Sequence, residues 1–202
     1  MTTPTHITTS GGLISAAFIE NIREPGSRQR GVEPESFALP WSPAPKSPAA
    51  LEETIATAWE LLLERWDAVR ADPSTGSGRG LPMMDVSQVR ARWLLPLFQL
   101  LDFDPVYLRS DTVLDEEGKL RYPLSHRGWH REGASVLHTI APSQDLDTRG
   151  AAGRGVKTKS PHDMLQAFLN TSPTDRWAVL TNGILLRLLR DYHHTFTRGF
   201  VQ

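Results

Sequence analysis

The stretch from Arg149 to Lys159 carries Arg149, Arg154, Lys157 and Lys159 with no acid among them, and glycines stand between the cations. Cations on such a loop attract a phosphate backbone without reading base sequence, and the attraction weakens as salt rises. Ser160 and Pro161 follow directly and predict the start of a helix, whose first N–H groups favour anions. Arg149, Arg154, Lys157, Lys159 and Ser160 are therefore the candidate DNA-contact residues. A solvated loop is the other reading of the same composition.

Asp102, Asp104, Asp145 and Asp147 could serve a different chemistry, a Mg²⁺-dependent nuclease, if the fold gathers them. His126, His130, His138, His162, His193 and His194 raise the question of zinc, for which neutral imidazole is a good ligand. His126 and His130 share a face only on a helix, and Gly128 opposes one, so the histidines read as polar hydrogen-bonding groups. Arg187 and Arg190 alternate with Leu186, Leu188 and Leu189 and read as the outer face of an edge strand. Trp59, Trp66 and Trp93 stand among aliphatic residues at helical spacing and read as core or as a docking face, not as base-stacking platforms.

Bulk properties limit the function classes. The 202 residues favour one domain with an extension, and 39% hydrophobic residues leave room for loop-rich segments. A net charge of −1 gives no bulk attraction for nucleic acid or membrane, so any DNA contact must be local. The absence of cysteine excludes disulfides and thiolate metal sites. No signal peptide or membrane-length apolar stretch is legible, and the reading is of a soluble, cytoplasmic protein.

The positioning elements follow from pattern. Residues 1–47, rich in proline from Gly31 to Pro48, read as an extended N-terminal arm that Leu39, Pro40 and Trp41 pin to a body. Gly11 to Ile14 with Phe18 and Ile19 could form one short docked element. Ser47 and Pro48 start a helix over Ile55, Trp59, Leu62, Leu63 and Trp66 that ends near Asp72-Pro73. Ser74 to Gly80 is a loop. Asp85 caps a second helix to about Leu101, with a kink or early end at Pro96. Short strands follow at Val106–Leu108, Thr112–Leu114 and Leu120–Tyr122, the last two flanking a turn at Asp115–Gly118. Ser135–Ile140 is the central strand. Ser160 caps a helix carrying Met164, Leu165, Phe168 and Leu169. Trp177–Leu180 and Ile184–Leu189 form a hairpin about Asn182-Gly183. Thr195–Val201 opens a further strand that runs to the end of the sequence, which suggests a fragment of a longer protein or an early-ending homologue.

The order of helix, strands, central strand, helix and closing hairpin is similar to that of the PD-(D/E)XK restriction-nuclease core. Such a core holds Mg²⁺ with an Asp on one strand and an acidic-x-Lys motif on the next. The matching strand, Ser135-Val136-Leu137-His138-Thr139-Ile140-Ala141, has no carboxylate and no lysine, and Tyr122-Pro123-Leu124-Ser125-His126 has no acid. The expected fold is thus α/β (α+β), a degenerate PD-(D/E)XK-like core over residues 48–202 with a helical N-terminal part.

The motifs Phe103-Asp104-Pro105-Val106-Tyr107-Leu108, Tyr122-Pro123-Leu124-Ser125-His126-Arg127, Gln144-Asp145-Leu146-Asp147, Ser160-Pro161-His162 and Trp177-Ala178-Val179-Leu180-Thr181-Asn182-Gly183 occur in a telling order. With Leu165 to Asn170 and Gly11-Gly12-Leu13-Ile14, the chain resembles the N-terminal region of large type IIG-like and DISARM-associated adenine-specific DNA methyltransferases. The resemblance is best over residues 85–202. It implies a role in restriction–modification or phage defence, with DNA and a methyltransferase domain or other defence subunits as partners. It also implies S-adenosylmethionine for a full-length relative. Neither an S-adenosylmethionine loop nor an Asn-Pro-Pro-Tyr-type motif is present, so no catalytic residue transfers to this chain. The expectation is a non-catalytic DNA-positioning or scaffolding domain. The alternatives are an atypical Mg²⁺ nuclease on the four aspartates and a pure protein-interaction module.

Overall fold

The computed structural model describes residues 7–10, 13–22, 24, 27, 29–71, 81–110, 112–113, 121–128, 135–149, 159–191 and 200–201. The expected loops at Ser74–Gly80 and Asp115–Gly118 lie outside these residues, as do Gly11, Gly12, His130, His193 and His194.

The N-terminal part holds β1 (Thr9–Ser10), α1 (Ala16–Asn21) and a 3-10 turn at Pro34–Phe37. Trp41 Nε1 donates to Leu100 O at 2.8 Å, a contact between the proline-rich segment and the following helices. The first long helix, α2 (Pro48–Arg70), starts as its residues predict: Ser47 Oγ accepts the Ala50 N–H at 3.2 Å, and Pro48 occupies the first turn, where no N–H is needed.

The second helical region runs without a break over residues 86–100 and changes from α to π and back to α within it. A 3-10 turn at Leu81–Met83 leads to α3 (Val86–Val89), a π-helical turn at Arg90–Leu94, and α4 (Leu95–Leu100). Asp85 and Gln88 cap the start reciprocally: Asp85 Oδ1 accepts the Ser87 and Gln88 N–H groups, and Gln88 Oε1 accepts the Asp85 N–H. Pro96 has no N–H to give to the previous turn, and the π turn, in which the Leu95 N–H reaches Arg90 O, absorbs that break.

The remaining strands are β2 (Val106–Tyr107), β3 (Thr112–Val113), β4 (Arg121–Tyr122), β5 (His126–Arg127) and β6 (Val136–Thr139). Helix α5 (Pro161–Thr171) then leads to β7 (Trp177–Thr181), β8 (Leu186–Arg190) and β9 (Phe200–Val201). The main sheet has seven strands in the order β1-β9-β8-β7-β6-β5-β2, and β3 pairs with β4 separately. Among the described residues every pairing is antiparallel except β6 with β7, which α5 joins as a parallel crossover. The chain is thus a mixed α+β fold.

The two faces of the sheet are covered differently. Alternation sends Val136 into a core with Leu165, Phe168 and Leu169 of α5, while Leu137 joins Val69, Val89, Leu94 and Phe98 of the N-terminal helices. Two tryptophans belong to that second layer: Trp66 and Trp93 lie 5.0 Å apart, and Trp93 Nε1 donates to Gly183 O at 3.1 Å. Trp59 is 60% exposed and belongs to no core.

Two expectations change at the closing hairpin. The turn is longer than Asn182-Gly183: Asn182 Oδ1 accepts the Ile184 and Leu185 N–H groups at 3.0 and 2.8 Å, so Ile184 and Leu185 leave the strand and β8 begins at Leu186. Arg187 and Arg190 also do not mark an edge, because β8 lies between β7 and β9. Arg190 is exposed beside the Trp177 ring at 5.3 Å, whereas Arg187 is buried. Their positions differ from the sequence expectation because the neighbour of β8 comes from the distant Phe200–Val201 segment.

Candidate functional site

The segment after β6 runs from Ala141 to Arg149 at the carboxyl end of a parallel strand, where open α/β sheets hold ligands. Its shape is set by its own side chains. Gln144 Oε1 accepts the Ala141 N–H at 3.1 Å, and Gln144 O accepts from Asn182 Nδ2 at 3.0 Å. Asp145 Oδ1 accepts the Asp147 and Thr148 N–H groups and the Thr148 hydroxyl at 2.8, 2.9 and 3.1 Å. The Asp147 N–H, then the Thr148 hydroxyl, hold the Asp145 carboxyl below the usual carboxylate range.

This segment forms one side of an open cleft of about 850 Å³. Its polar lining comes from Arg121, His138, Gln144, Asp145, Arg149 and Lys159. Its apolar lining comes from Tyr122, Pro123, Ile140, Pro161 and Met164. Arg149 and Lys159, both singled out in the sequence, meet here from the two sides of the basic loop. Arg121 joins them from β4. A residue in a two-residue strand, far from the loop in sequence, carries no local signal of that position. Arg154 and Lys157 lie outside the described residues.

Ser160 starts α5 as its sequence predicts, and this role encloses it. It is fully buried, and its Oγ accepts the Asp163 N–H at 3.1 Å as the cap of α5. Pro161 has no N–H, and the His162 N–H donates to Leu146 O at 3.0 Å. The first donors of α5 are therefore already engaged, and the helix start adds little attraction for an anion. The exposed cations Arg149 and Lys159 carry the positive charge of the cleft instead.

Among the described residues the four aspartates do not form one metal-binding group, although Asp145 and Asp147 lie near each other. Asp102 lines a separate apolar groove with Phe37, Ile55, Trp59 and Phe103, while Asp145 lines the cleft. Asp147 is held by Arg187, with Nη1–Oδ1 at 2.8 Å and Nη2–Oδ2 at 3.0 Å. Arg187 Nη1 also lies 3.0 Å from His162 Nδ1. A guanidinium only donates, so His162 Nδ1 is the acceptor and its ring carries hydrogen on Nε2. Among the described residues, no group of three or more His, Cys, Asp or Glu side chains could hold a metal ion.

His138 is the most unusual polar group of the cleft. His138 also lines a smaller cavity of about 230 Å³ with Arg90, Tyr107, Arg109 and Ser125. Its Nδ1 is buried and has no hydrogen-bond partner among the described residues. Burial, then the charge of Arg90, then that of His126, lowers its pKa to about 4, so the ring is neutral at physiological pH. Beside it Ser125 Oγ accepts the Thr139 N–H at 2.8 Å and donates to Leu137 O at 3.0 Å. Ser125 Oγ also lies 2.9 Å from His126 Nδ1, and Arg90 Nε donates to Thr139 Oγ1 at 2.7 Å. This network braces β6 where β5 has ended.

Comparison with protein-family models, curated proteins and solved structures finds no match to this chain. No described helix is long and apolar enough to cross a membrane.

Proposed function

We propose that this chain is a non-catalytic DNA-positioning or scaffolding domain of a bacterial restriction–modification or phage-defence DNA methyltransferase. It touches the phosphate backbone through the cleft at the end of β6. The observation that carries this reading is the convergence of Arg121, Arg149 and Lys159 on one cleft where, among the described residues, the lining carboxylate is Asp145, which is tied to its own turn. Three cations at one surface favour phosphate contact, which is sequence-independent and salt-sensitive.

The degenerate PD-(D/E)XK reading rests on two supports. The antiparallel run β2, β5, β6 is followed by the crossover helix α5 and the parallel β7, as the element order of that core requires. The strand in the place of the acidic-x-Lys motif reads Val136-Leu137-His138-Thr139. Methyl transfer and S-adenosylmethionine would belong to another segment or to a partner, and no residue of this chain is assigned to either.

The test is binding of the purified chain to a labelled DNA duplex across a salt series, with and without Mg²⁺. The expected result is salt-sensitive binding and no cleavage. Replacing Arg149 and Lys159 by glutamate should weaken it and lower the slope of log affinity against log salt by about one for each phosphate that is no longer neutralised. Mg²⁺-dependent cleavage would instead place the chain among active nucleases. The apolar groove of about 580 Å³ that Ile55 and Trp59 line favours a second reading, a protein-interaction module. Unchanged DNA affinity in the Arg149→Glu, Lys159→Glu protein would put that reading first.

A further inference from the structure

We infer that the cleft between the 141–149 segment and α5 is a site for one nucleoside phosphate, with the phosphate on Arg149, Lys159 and Arg121 and the base beside His138. The inference rests on the phosphate-contact reading of the same cleft and adds the recognition of a single nucleotide to it.

Three features of the cleft argue for a nucleoside phosphate over a simple anion. Its volume, about 850 Å³, falls among small-molecule sites of ~300–1,000 Å³ and is far larger than a lone phosphate needs. Its walls are divided in chemistry: Arg121, Arg149 and Lys159 supply charge, while Ile140, Pro161 and Met164 supply an apolar surface on which a planar base can lie. The third feature is His138, whose Nδ1 is buried with no hydrogen-bond partner among the described residues. A buried polar atom without a partner is costly, and the residue that carries this one lines the cleft, so we take its partner to be a group supplied on binding. A base edge offers such a group, whereas inorganic phosphate held by exposed cations does not need it.

The nucleotide could be free in solution or be an unpaired nucleotide turned out of a DNA duplex, and both present the same chemistry to the cleft. The full chain is titrated with 2′-deoxyadenosine 5′-monophosphate, inorganic phosphate and deoxyadenosine by calorimetry. The mononucleotide is expected to bind about tenfold or more tightly than either fragment, the factor that one added buried hydrogen bond supplies. His138→Phe keeps a ring in the wall and removes both nitrogens. It should lose about tenfold in mononucleotide affinity while leaving inorganic phosphate binding unchanged. Its melting temperature should hold or rise, which separates loss of recognition from loss of fold. Lys159→Glu, an exposed change, should weaken mononucleotide and phosphate together.

A mononucleotide that binds no better than inorganic phosphate overturns the inference, as does full mononucleotide affinity in His138→Phe. A duplex with 2-aminopurine opposite an abasic site identifies the source. A fluorescence change reversed by the mononucleotide supports a nucleotide presented by DNA. Mononucleotide binding without that change supports the free nucleotide. Salt-sensitive duplex binding with no mononucleotide binding would overturn the single-nucleotide site and leave the DNA-positioning reading standing. Mononucleotide binding without duplex affinity would do the reverse.

Discussion

The Arg187 guanidinium grips the Asp147 carboxylate through two parallel hydrogen bonds of 2.8 and 3.0 Å. The pair joins β8 to the segment that follows β6, whose Asp145 and Thr148 line the cleft on either side of Asp147. It also gives both residues roles that differ from those legible in the chain. Asp147, a candidate metal ligand by sequence, is an ion-pair partner; Arg187, a candidate for an outer strand face, lies inside.

Removing one partner of this pair should be costly because the two are unequally buried. The Arg187 side chain is 4% exposed and that of Asp147 46%. Asp147→Ala leaves a buried guanidinium short of its carboxylate and should destabilise the protein by about 1–3 kcal/mol. Arg187→Met, which removes the buried charge, should cost less. Denaturant midpoints of the two variants check the order; equal stability to the parent in Asp147→Ala would remove the pair from any bracing role.

Ser125 replaces a missing strand neighbour. Its hydroxyl serves the Thr139 N–H and the Leu137 carbonyl at once, where β5 no longer pairs with β6. Ser125→Ala would leave both backbone groups buried without that partner and should cost about 1–3 kcal/mol. Hydrogen exchange is the direct readout: the Thr139 amide should lose protection in the variant, and retained protection would count against this role.

Gly183 is held in the left-handed region, at φ +87°, with the helices packed over it. A Cβ there would stand 2.7 Å from Val89 Cγ1 and 2.8 Å from Leu81 Cδ2. Gly183→Ala therefore meets backbone strain and a clash together and should lose about 1–3 kcal/mol. Thermal melting tests it, and an unchanged midpoint would mean that the hairpin and the Leu81–Val89 segment separate freely.

Acid should weaken the fold through two histidines. Burial, then Arg90, lowers His126 to about 4, and His138 sits at about 4 for the same leading cause, against 6.5 for an ordinary histidine. Between those values the unfolded chain binds more protons than the folded one, so stability rises with pH. The contribution is fully present above pH 6.5 and is lost as pH falls toward about 4. Urea midpoints should decline through that window, less steeply in His138→Phe. A midpoint that stays level on acidification would show that neither ring is held neutral by the fold.

Local elements were legible where local chemistry decides them. Ser47-Pro48, Asp85 and Ser160-Pro161 each announced a helix start because a cap bonds to N–H groups within three residues of it. The apolar run of β6 and the crossover helix after it were readable for the same reason, and so was the basic character of the 149–159 loop. The sequence also determined that β6 carries no carboxylate and no lysine. Tertiary structure decided what depends on distant neighbours. Arg121 reaches the cleft because the β3–β4 pair is placed beside α5, Arg187 is enclosed because Asp147 and His162 meet it on the α5 face of the sheet, and Ser160 is enclosed by the loop whose Leu146 carbonyl meets the His162 N–H. Burial and pairing between elements are sums over residues far apart in the chain, and no spacing rule records them; only the folded arrangement made His138 a half-buried, neutral ring whose Nδ1 is buried without a hydrogen-bond partner among the described residues.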